Sequence, residues 1–216
     1  AALWIPTTGA QWHLLPQCYP NDKTVHRRFQ HWCRSEVLRG VLVDLASCLR
    51  DDGAVGVTEC CIDASFASAK ERGLDRADQT RKGVKILAIV DRQGLHLSVS
   101  THAANHHEVT LVQLSFDFYM IEAKPENLIG DRAYDSDELD KDLKQQGTEM
   151  IAPHRANRKK RRTQDGRRLR RYERLWIVGR FFAWMQWYRR LLIRWEYYAE
   201  NFLEFIQLAS MLILFR

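Results

Sequence analysis

The sequence predicts an α/β fold in which a mixed sheet has helices on both faces and is preceded by a small helical N-terminal region. Three short apolar runs follow one another after residue 56, and two of them flank "DRQG" (91–94), which has the composition of a hairpin turn. Apolar runs then alternate with amphipathic helical patterns towards the end of the chain. A length of 216 residues suits one domain of ordinary size with a small addition.

Residues 1–50 have helical periodicity. An apolar stripe that includes Phe29 indicates one helix, and Ser35 stands where it could cap the start of a second. The segment "DDGAVG" (51–56) has loop composition and marks a boundary. Because the chain begins at Ala1 without a methionine and within a helical pattern, we expect the N-terminal region to be incomplete at its start.

The second region, residues 57–216, has the pattern of a complete α/β domain. Strands are predicted in "VTECCIDASFAS", "GVKILAIVD", "LHLSVST", "NLIGD" and "EMIAP", and helices in "HHEVTLVQLSFDFY", "SDELDKDLKQQG" and over about 169–192 and 195–214. The order is three strands, helix, strand, helix, strand, helix. That order is typical of a ribonuclease-H-like sheet.

Two aspartates follow apolar runs, and we expect each to end a strand. Asp63 follows the first run, and Asp131 follows the fourth. Open α/β sheets place their functional sites at strand ends, and two carboxylates can share Mg²⁺, which prefers oxygen ligands and retains several waters. Two such ions would clamp the attacking and leaving oxygens of a phosphoryl displacement. Taken alone, the two aspartates are better explained as loop caps.

Positive charge is concentrated in one stretch. Residues 155–174, "RANRKKRRTQDGRRLRRYER", contain eleven Lys or Arg and two acids, so their balance is +9, while the rest of a chain of net charge +6 has a balance of −3. A phosphate backbone is the partner that such a cluster fits best. Tails that bind RNA or acidic proteins have similar composition. A polyanionic substrate would account for both the basic stretch and the aspartate pair.

Other features argue for a cytoplasmic protein with no membrane association. The most apolar run (205–215) is too short to span a bilayer, and no signal peptide is visible. The number and spacing of the five cysteines match neither a zinc site nor a disulfide framework, which favours free thiols in a reducing compartment. "HHE" (106–108) is better explained as a helix start than as a metal cluster, since adjacent helical residues point about 100° apart.

Several long segments stand in an order that is specific to one family. They include "TGAQWHLLP", "TVHRRFQHW", "KILAIVDRQGLHLSVSTHAANHHEVTLV", "LIGDRAYDSDELDKDLKQQG" and "RLLIRWEYYAENFLEFIQLAS". Together they resemble the DDE transposases of bacterial insertion sequences, specifically the group related to insertion sequence five, over nearly the whole chain. The resemblance implies a ribonuclease-H-like catalytic core, two divalent ions (Mg²⁺ or Mn²⁺) and a homo-oligomer that acts on double-stranded DNA in the cytoplasm, associated with the nucleoid.

The resemblance also assigns the first two catalytic acids. It places them at Asp63 and Asp131, which would be the metal ligands, and Tyr134 completes the usual surroundings of the second.

The third acid is where the sequence departs from the family. There it is a glutamate on the helix after the basic stretch, within a fixed pattern of Tyr, Arg, Glu and Lys. Alignment of "RYERLWIVGRFFAW" with this pattern retains Tyr172. It places Leu175, Gly179 and Gln186 at the Arg, Glu and Lys positions, respectively. Glu173 is a weak substitute for the missing carboxylate, because six residues of helix turn it about 120° away from position 179.

The implied function is metal-dependent DNA strand cleavage and transfer at the ends of an insertion sequence, impaired here by the loss of the third acid. The first alternative is a catalytically dead remnant that still binds those ends, and Gly179 favours it. The second is a metal-dependent nuclease without strand transfer.

Basic residues of the stretch 155–174, together with Lys82 and Arg132 outside it, are expected to contact DNA phosphates. Such contacts position DNA without reading its sequence. The predicted set comprises Lys82, Arg132, Arg158, Lys159, Lys160, Arg161, Arg162, Arg167, Arg168, Arg170 and Arg171.

Overall fold

The computed structural model describes residues 1–70, 83–159 and 166–215 and contains one mixed sheet. Its strands are β1 (Glu59–Ala69), β2 (Gly83–Asp91), β3 (His96–Ala103), β4 (Asn127–Ile129), β5 (Glu149–Ile151) and β6 (Ile193–Arg194). The order is β3-β2-β1-β4-β5, and β6 also pairs with β1. Strands β1 to β3 are antiparallel neighbours, whereas β4, β5 and β6 join in parallel. The ribonuclease-H-like arrangement predicted from the sequence is thus confirmed.

Helices cover both faces of the sheet, as predicted. They are α1 (Trp4–Thr8), α2 (Asp22–Arg34), α3 (Val37–Asp51), α4 (Glu108–Phe116), α5 (Asp137–Gln145), α6 (Gly166–Leu169), α7 (Trp176–Met185) and α8 (Ala199–Leu214). Adjacent residues of a strand point to opposite faces. The Cys60 thiol lies 3.9 Å from the hydroxyl of Tyr119, just after α4, and the Cys61 thiol donates to the carbonyl of Arg174, just before α7. Helices α4 and α7 therefore lie on opposite faces.

The N-terminal helices pack against α8 through an aromatic cluster. The ring of Phe29 in α2 stacks on that of Phe205 in α8, with centroids 4.5 Å apart, and Trp12 contacts both rings. Phe29 and Phe205 are buried, as are most residues of α8. Burial of this apolar area joins the N-terminal helices to the core. In the parts of the chain that the structure describes, no helix is long and apolar enough to cross a membrane.

The predicted helix over about 169–192 is wrong as a continuous element. The chain there consists of α6, a 3₁₀ turn (Arg170–Arg174), α7 and a second 3₁₀ turn (Arg189–Leu191), followed by β6. Strand β6 pairs with Ser68 and Ala69 at the end of β1. Pairing with a strand more than a hundred residues earlier is a tertiary contact, and such contacts override local helix propensity.

Ser35 does not cap the second N-terminal helix, contrary to the prediction. It ends α2, where its N–H donates to the carbonyls of His31 and Trp32. The residue before α3 is Glu36, whose φ of 50° lies in the left-handed region. The sharp turn between α2 and α3 therefore occurs at Glu36, and Ser35 is the C-terminal cap of the preceding helix.

Glu204 of α8 is a buried acid that should make stability depend on pH. Burial, together with the charge of Glu36, raises the pKa of Glu204 from 4.5 to about 8. A carboxyl group with a raised folded-state pKa contributes stability that is complete below the unfolded pKa and is lost as pH rises through the folded pKa. The wild-type protein should therefore lose stability between about pH 4.5 and pH 8.

Replacement Glu204→Gln should remove this loss. We expect thermal denaturation to show a Tm advantage of the variant over the wild type that grows from pH 5 to pH 8. The matched control is Glu200→Gln, one turn earlier on α8 at an exposed position. A Tm advantage that does not change with pH would show that the carboxyl at position 204 is not buried as described.

Candidate active site

Asp63 lies within β1, not at its end as predicted. Strand β1 continues to Ala69 because β2 pairs with it from Cys60 to Ser68. The opposite edge of β1 is different: its pairing with β4 stops at Cys61, and its pairing with β6 starts only at Ser68. Asp63 therefore stands in a gap along this edge, between two parallel neighbours.

Asp131 lies across the same gap. Strand β4 ends at Ile129, which is the partner of Cys61 in the parallel register. Asp63 follows Cys61 by two residues, and Asp131 follows Ile129 by two residues. The two aspartates are therefore level with each other, just beyond the point where β1 and β4 separate. The Ala133 N–H donates to Oδ1 of Asp131 (2.8 Å) and starts a 3₁₀ turn over Arg132–Tyr134. The structure thus brings the two predicted acids together.

The electrostatics of Asp63 reflect burial and neighbouring acids. The pKa of Asp63 is raised to about 6, chiefly by burial and also by the charges of Asp131 and Glu108, while the hydrogen bond from the Ala64 N–H (2.7 Å) acts in the opposite direction. A bound cation would relieve the repulsion between these neighbouring carboxylates.

The donor atoms present suit a hard divalent cation in part. Two carboxylates can bind Mg²⁺ together with waters and substrate oxygens. Among the residues that the structure describes, no group of three or more His, Cys, Asp or Glu side chains could hold a metal ion. Within the described residues, Asp63 and Asp131 are therefore two candidate ligands, with no third acid, histidine or cysteine grouped with them.

Tyr134 is buried beside the pair. A Cβ atom at position 130 would lie 2.6 Å from its ring, so Gly130 makes room for it. Burial raises the pKa of the Tyr134 hydroxyl, as do the charges of Glu108, Asp63 and Asp131. Within the described residues, this hydroxyl has no hydrogen-bond partner.

Glu108 is a neighbour of the site, although its sequence pattern predicted only the start of a helix. Its carboxylate lies 3.1 Å from Nζ of Lys85 in β2, and the same ammonium donates to the carbonyl of His106. The charge of Glu108 raises the pKa of both Asp63 and Tyr134. The acid in "HHE" was the available sequence signal, but its proximity to Asp63 depends on how α4 packs on the sheet.

Helix α7 lies on the face of the sheet to which Asp63 belongs. Asp63 and Cys61 are two residues apart in β1, so their side chains project from the same face, and the Cys61 thiol contacts the carbonyl of Arg174 just before α7. Gly179 is an exposed residue in the middle of α7, and a Cβ atom there would meet nothing within 4 Å. Glu173 lies in the 3₁₀ turn that precedes α7 and is exposed.

Part of the basic stretch is engaged by acids of the fold. Arg158, whose side chain is 11% exposed, pairs with Asp135 (2.7 Å) and with Asp137. Arg168 pairs with Glu149. These partners are distant in sequence, so the composition of the stretch did not reveal them.

The same holds for Glu59, which pairs with Arg171 (3.5 Å) and Arg174. Tyr172, between these arginines in the 3₁₀ turn, is exposed. The structure places Arg132, Lys159, Arg167 and Arg170 on exposed positions. Four residues of the predicted DNA-binding set lie outside the described residues: Lys82, Lys160, Arg161 and Arg162.

The fold and the aspartate pair define the class of ribonuclease-H-like α/β proteins. Residues 58–214 match the family model of the transposase DDE domain, and residues 1–42 match that of a putative transposase of the IS4/5 family. The chain therefore belongs to the DDE transposase family, and the family predicted from the sequence is confirmed. By this membership it is an enzyme of DNA strand cleavage and transfer.

Two known proteins illustrate the relationship. The chain is 31% identical over 160 residues to a putative transposase for insertion sequence element IS402 from Burkholderia cepacia, covering 70% of this chain and 72% of that protein. A solved structure, the piggyBac transposase synaptic complex with hairpin DNA, matches with a TM-score of 0.49 and 11% sequence identity. That match covers 71% of this chain but only 45% of the piggyBac chain.

Removal of the charge at Asp63 should stabilise the metal-free protein above the pH at which this group ionises. Because its folded pKa is raised from 3.8 to about 6, wild-type stability falls between these values as pH rises. In the presence of a chelator, the difference in Tm between Asp63→Asn and the wild type should grow in favour of the variant from pH 4 to pH 6. Above pH 6 this difference should stay constant. Asp44→Asn, at an exposed position in α3, is the control. A pH-independent difference would contradict this prediction.

Proposed function

We propose that the chain binds the ends of an insertion sequence in double-stranded DNA as a DDE transposase whose catalytic step is impaired by Gly179. The observation that carries the proposal is the level placement of Asp63 and Asp131 in the gap on the edge of β1. This placement is open to a substrate, because β4 has ended and β6 has not begun. Membership in the transposase family gives the pair its chemistry.

Asp63 and Asp131 are the residues that would hold Mg²⁺ or Mn²⁺. When bound, two such ions supply charge neutralisation at the phosphate and a nucleophilic water. The protein orients each carboxylate with a backbone N–H, from Ala64 to Asp63 and from Ala133 to Asp131. Lys85 offsets the charge of Glu108, which limits the repulsion between that acid and the pair.

Gly179 is proposed as the position of the lost third acid. Support comes from its place in α7, on the face of the sheet that Asp63 shares, and from the open space around it. Without that carboxylate the site has two protein ligands, so ions would be held less tightly and positioned less well. The same feature favours the second candidate, a remnant that binds DNA without cutting it.

The substrate contacts belong to the exposed part of the basic stretch. Lys159, Arg167 and Arg170 lie on exposed positions on either side of residues 160–165, and cations at such positions bind a phosphate backbone. The proposed contacts also include Arg132, which is next to Asp131, and Arg168 and Arg171, which already pair with acids of the fold. Lys82, Lys160, Arg161 and Arg162 are included from their sequence alone. A homo-oligomer on DNA in the bacterial cytoplasm, where the nucleoid lies, completes the proposal.

The decisive experiment restores the carboxylate at position 179. Excision of a marked element with Mg²⁺ is compared for the wild type, Gly179→Glu and the uncharged control Gly179→Gln. All replacements of glycine within α7 should raise stability, by about 1 kcal/mol for Gly179→Ala. Only Gly179→Glu should raise the excision rate, by about 100-fold or more, since misplacement of reacting groups has costs of that order.

Each alternative has its own outcome. If the wild type cuts as fast as Gly179→Glu, position 179 is not that of the third acid, and Glu173→Gln becomes the variant to test. If Gly179→Glu cuts the ends but never joins them to target DNA, the nuclease alternative replaces transposition. If no variant cuts but all retain binding of the element's ends, the chain is a DNA-binding remnant.

A further inference from the structure

We infer that Asp135 is a positioning residue for Asp131, acting through a clamp that residues 154–158 form around the loop after β4. The inference rests on the proposed function, since it concerns the metal ligand Asp131. The clamp consists of Asp135, His154, Arg155 and Arg158. From composition alone, Arg158 was predicted to be a DNA contact and not part of such a clamp.

Both carboxylate oxygens of Asp135 are used within the protein. Oδ1 accepts from Nδ1 of His154 (2.8 Å) and from the guanidinium of Arg158 (2.7 Å), and Oδ2 accepts from the backbone N–H of Arg155 (2.8 Å). The side chain of Asp135 is 3% exposed. Although burial acts to raise its pKa, these donors lower it below its usual value. Asp135 is therefore an ionised group whose two oxygens both have partners within the protein, and it is not a further metal ligand beside Asp131.

Arg155 extends the clamp to the turn that holds Asp131. Its Nε donates to the carbonyl of Arg132 (3.1 Å) and its Nη2 to that of Ala133 (2.7 Å). The N–H of Ala133 in turn donates to Asp131. The turn is thus fixed on both sides, with the Asp131 carboxylate at the N–H of Ala133 and the planar guanidinium of Arg155 at the carbonyls of Arg132 and Ala133.

The clamp joins the connections that follow two neighbouring parallel strands. Arg158 also pairs with Asp137, the first residue of α5, so the connection from β4 to α5 is held at Asp135 and Asp137. Residues 154–158 follow β5, which pairs in parallel with β4. Strand β4 is only three residues long. The loop that carries Asp131 therefore depends on the contacts of the clamp for its orientation.

This arrangement separates two groups of cations within the basic stretch. Arg155 and Arg158 hold the Asp131 loop, while Lys159 is the first exposed cation beyond them. The clamp therefore also fixes the point after β5 at which the exposed cations of the basic stretch begin. Partner groups that orient metal ligands in this way commonly influence affinity by 10- to 100-fold when removed.

The test compares Asp135→Asn and Arg155→Gln with the control Arg168→Gln, which removes a surface ion pair of the same stretch. The first readout needs no metal: hydrogen exchange of the Ala133 amide, which reports its bond to Asp131. The second is the Mn²⁺ concentration that gives half-maximal thermal stabilisation. Both clamp variants should speed exchange at Ala133 relative to amides of β2, an inner strand that the clamp does not touch. Asp135→Asn should weaken Mn²⁺ binding by about 10-fold or more, and Arg168→Gln should change neither.

Normal Ala133 exchange together with normal Mn²⁺ affinity in Asp135→Asn would overturn the inference. If that variant does not fold, Arg155→Gln decides by the same two measurements, since its side chain is at an exposed position. A wild type that shows no Mn²⁺ stabilisation would contradict the proposed metal site. The clamp would then stand or fall on the Ala133 exchange alone, so the two failures are distinguishable.

Discussion

The candidate active site depends on one constraint, the interrupted pairing along one edge of β1. Strand β2 pairs with β1 over nearly its full length, while β4 and β6 pair only near its two ends. Among the described residues, β1 therefore has no paired strand on this edge at Asp63. The parallel register then places Asp131 at the same level, so the spacing of the two acids follows from backbone hydrogen bonding.

Stability and catalysis are separable in this protein. The core is formed by buried residues of β1 to β3, α7 and α8, and none of these contacts requires a side chain at position 179. Loss of an exposed glutamate there would affect the fold only through helix propensity. Tyr134 and Gly130 still pack together beside the acids. A chain without its third acid would thus keep both its fold and its basic stretch.

The basic stretch is divided between structural ion pairs and exposed cations. Several of its arginines pair with acids of the fold, as Arg174 does with Glu59 at the start of β1 and Arg158 does with Asp135 in the loop after β4. The pair of Arg158 and Asp135 has low exposure, and salt screens such a pair less than it screens a surface pair, so Arg158 is held in place in the absence of DNA. The exposed members of the stretch supply the charge that we propose for DNA binding. Formal charge alone therefore overstates the number of cations available to DNA.

The sequence by itself determined the order of the elements, the two aspartates after apolar runs and the transposase family, because periodicity and motif spacing are local properties. The loss of the third acid at Gly179 stays a prediction from the same motif spacing. Only the tertiary structure decided that Asp63 lies inside a strand, that residues 193–194 pair with β1, and that Arg158 binds Asp135. Each of these depends on a partner distant in the sequence. Strand register and ion pairing arise from the packing of separate elements, which local patterns do not encode.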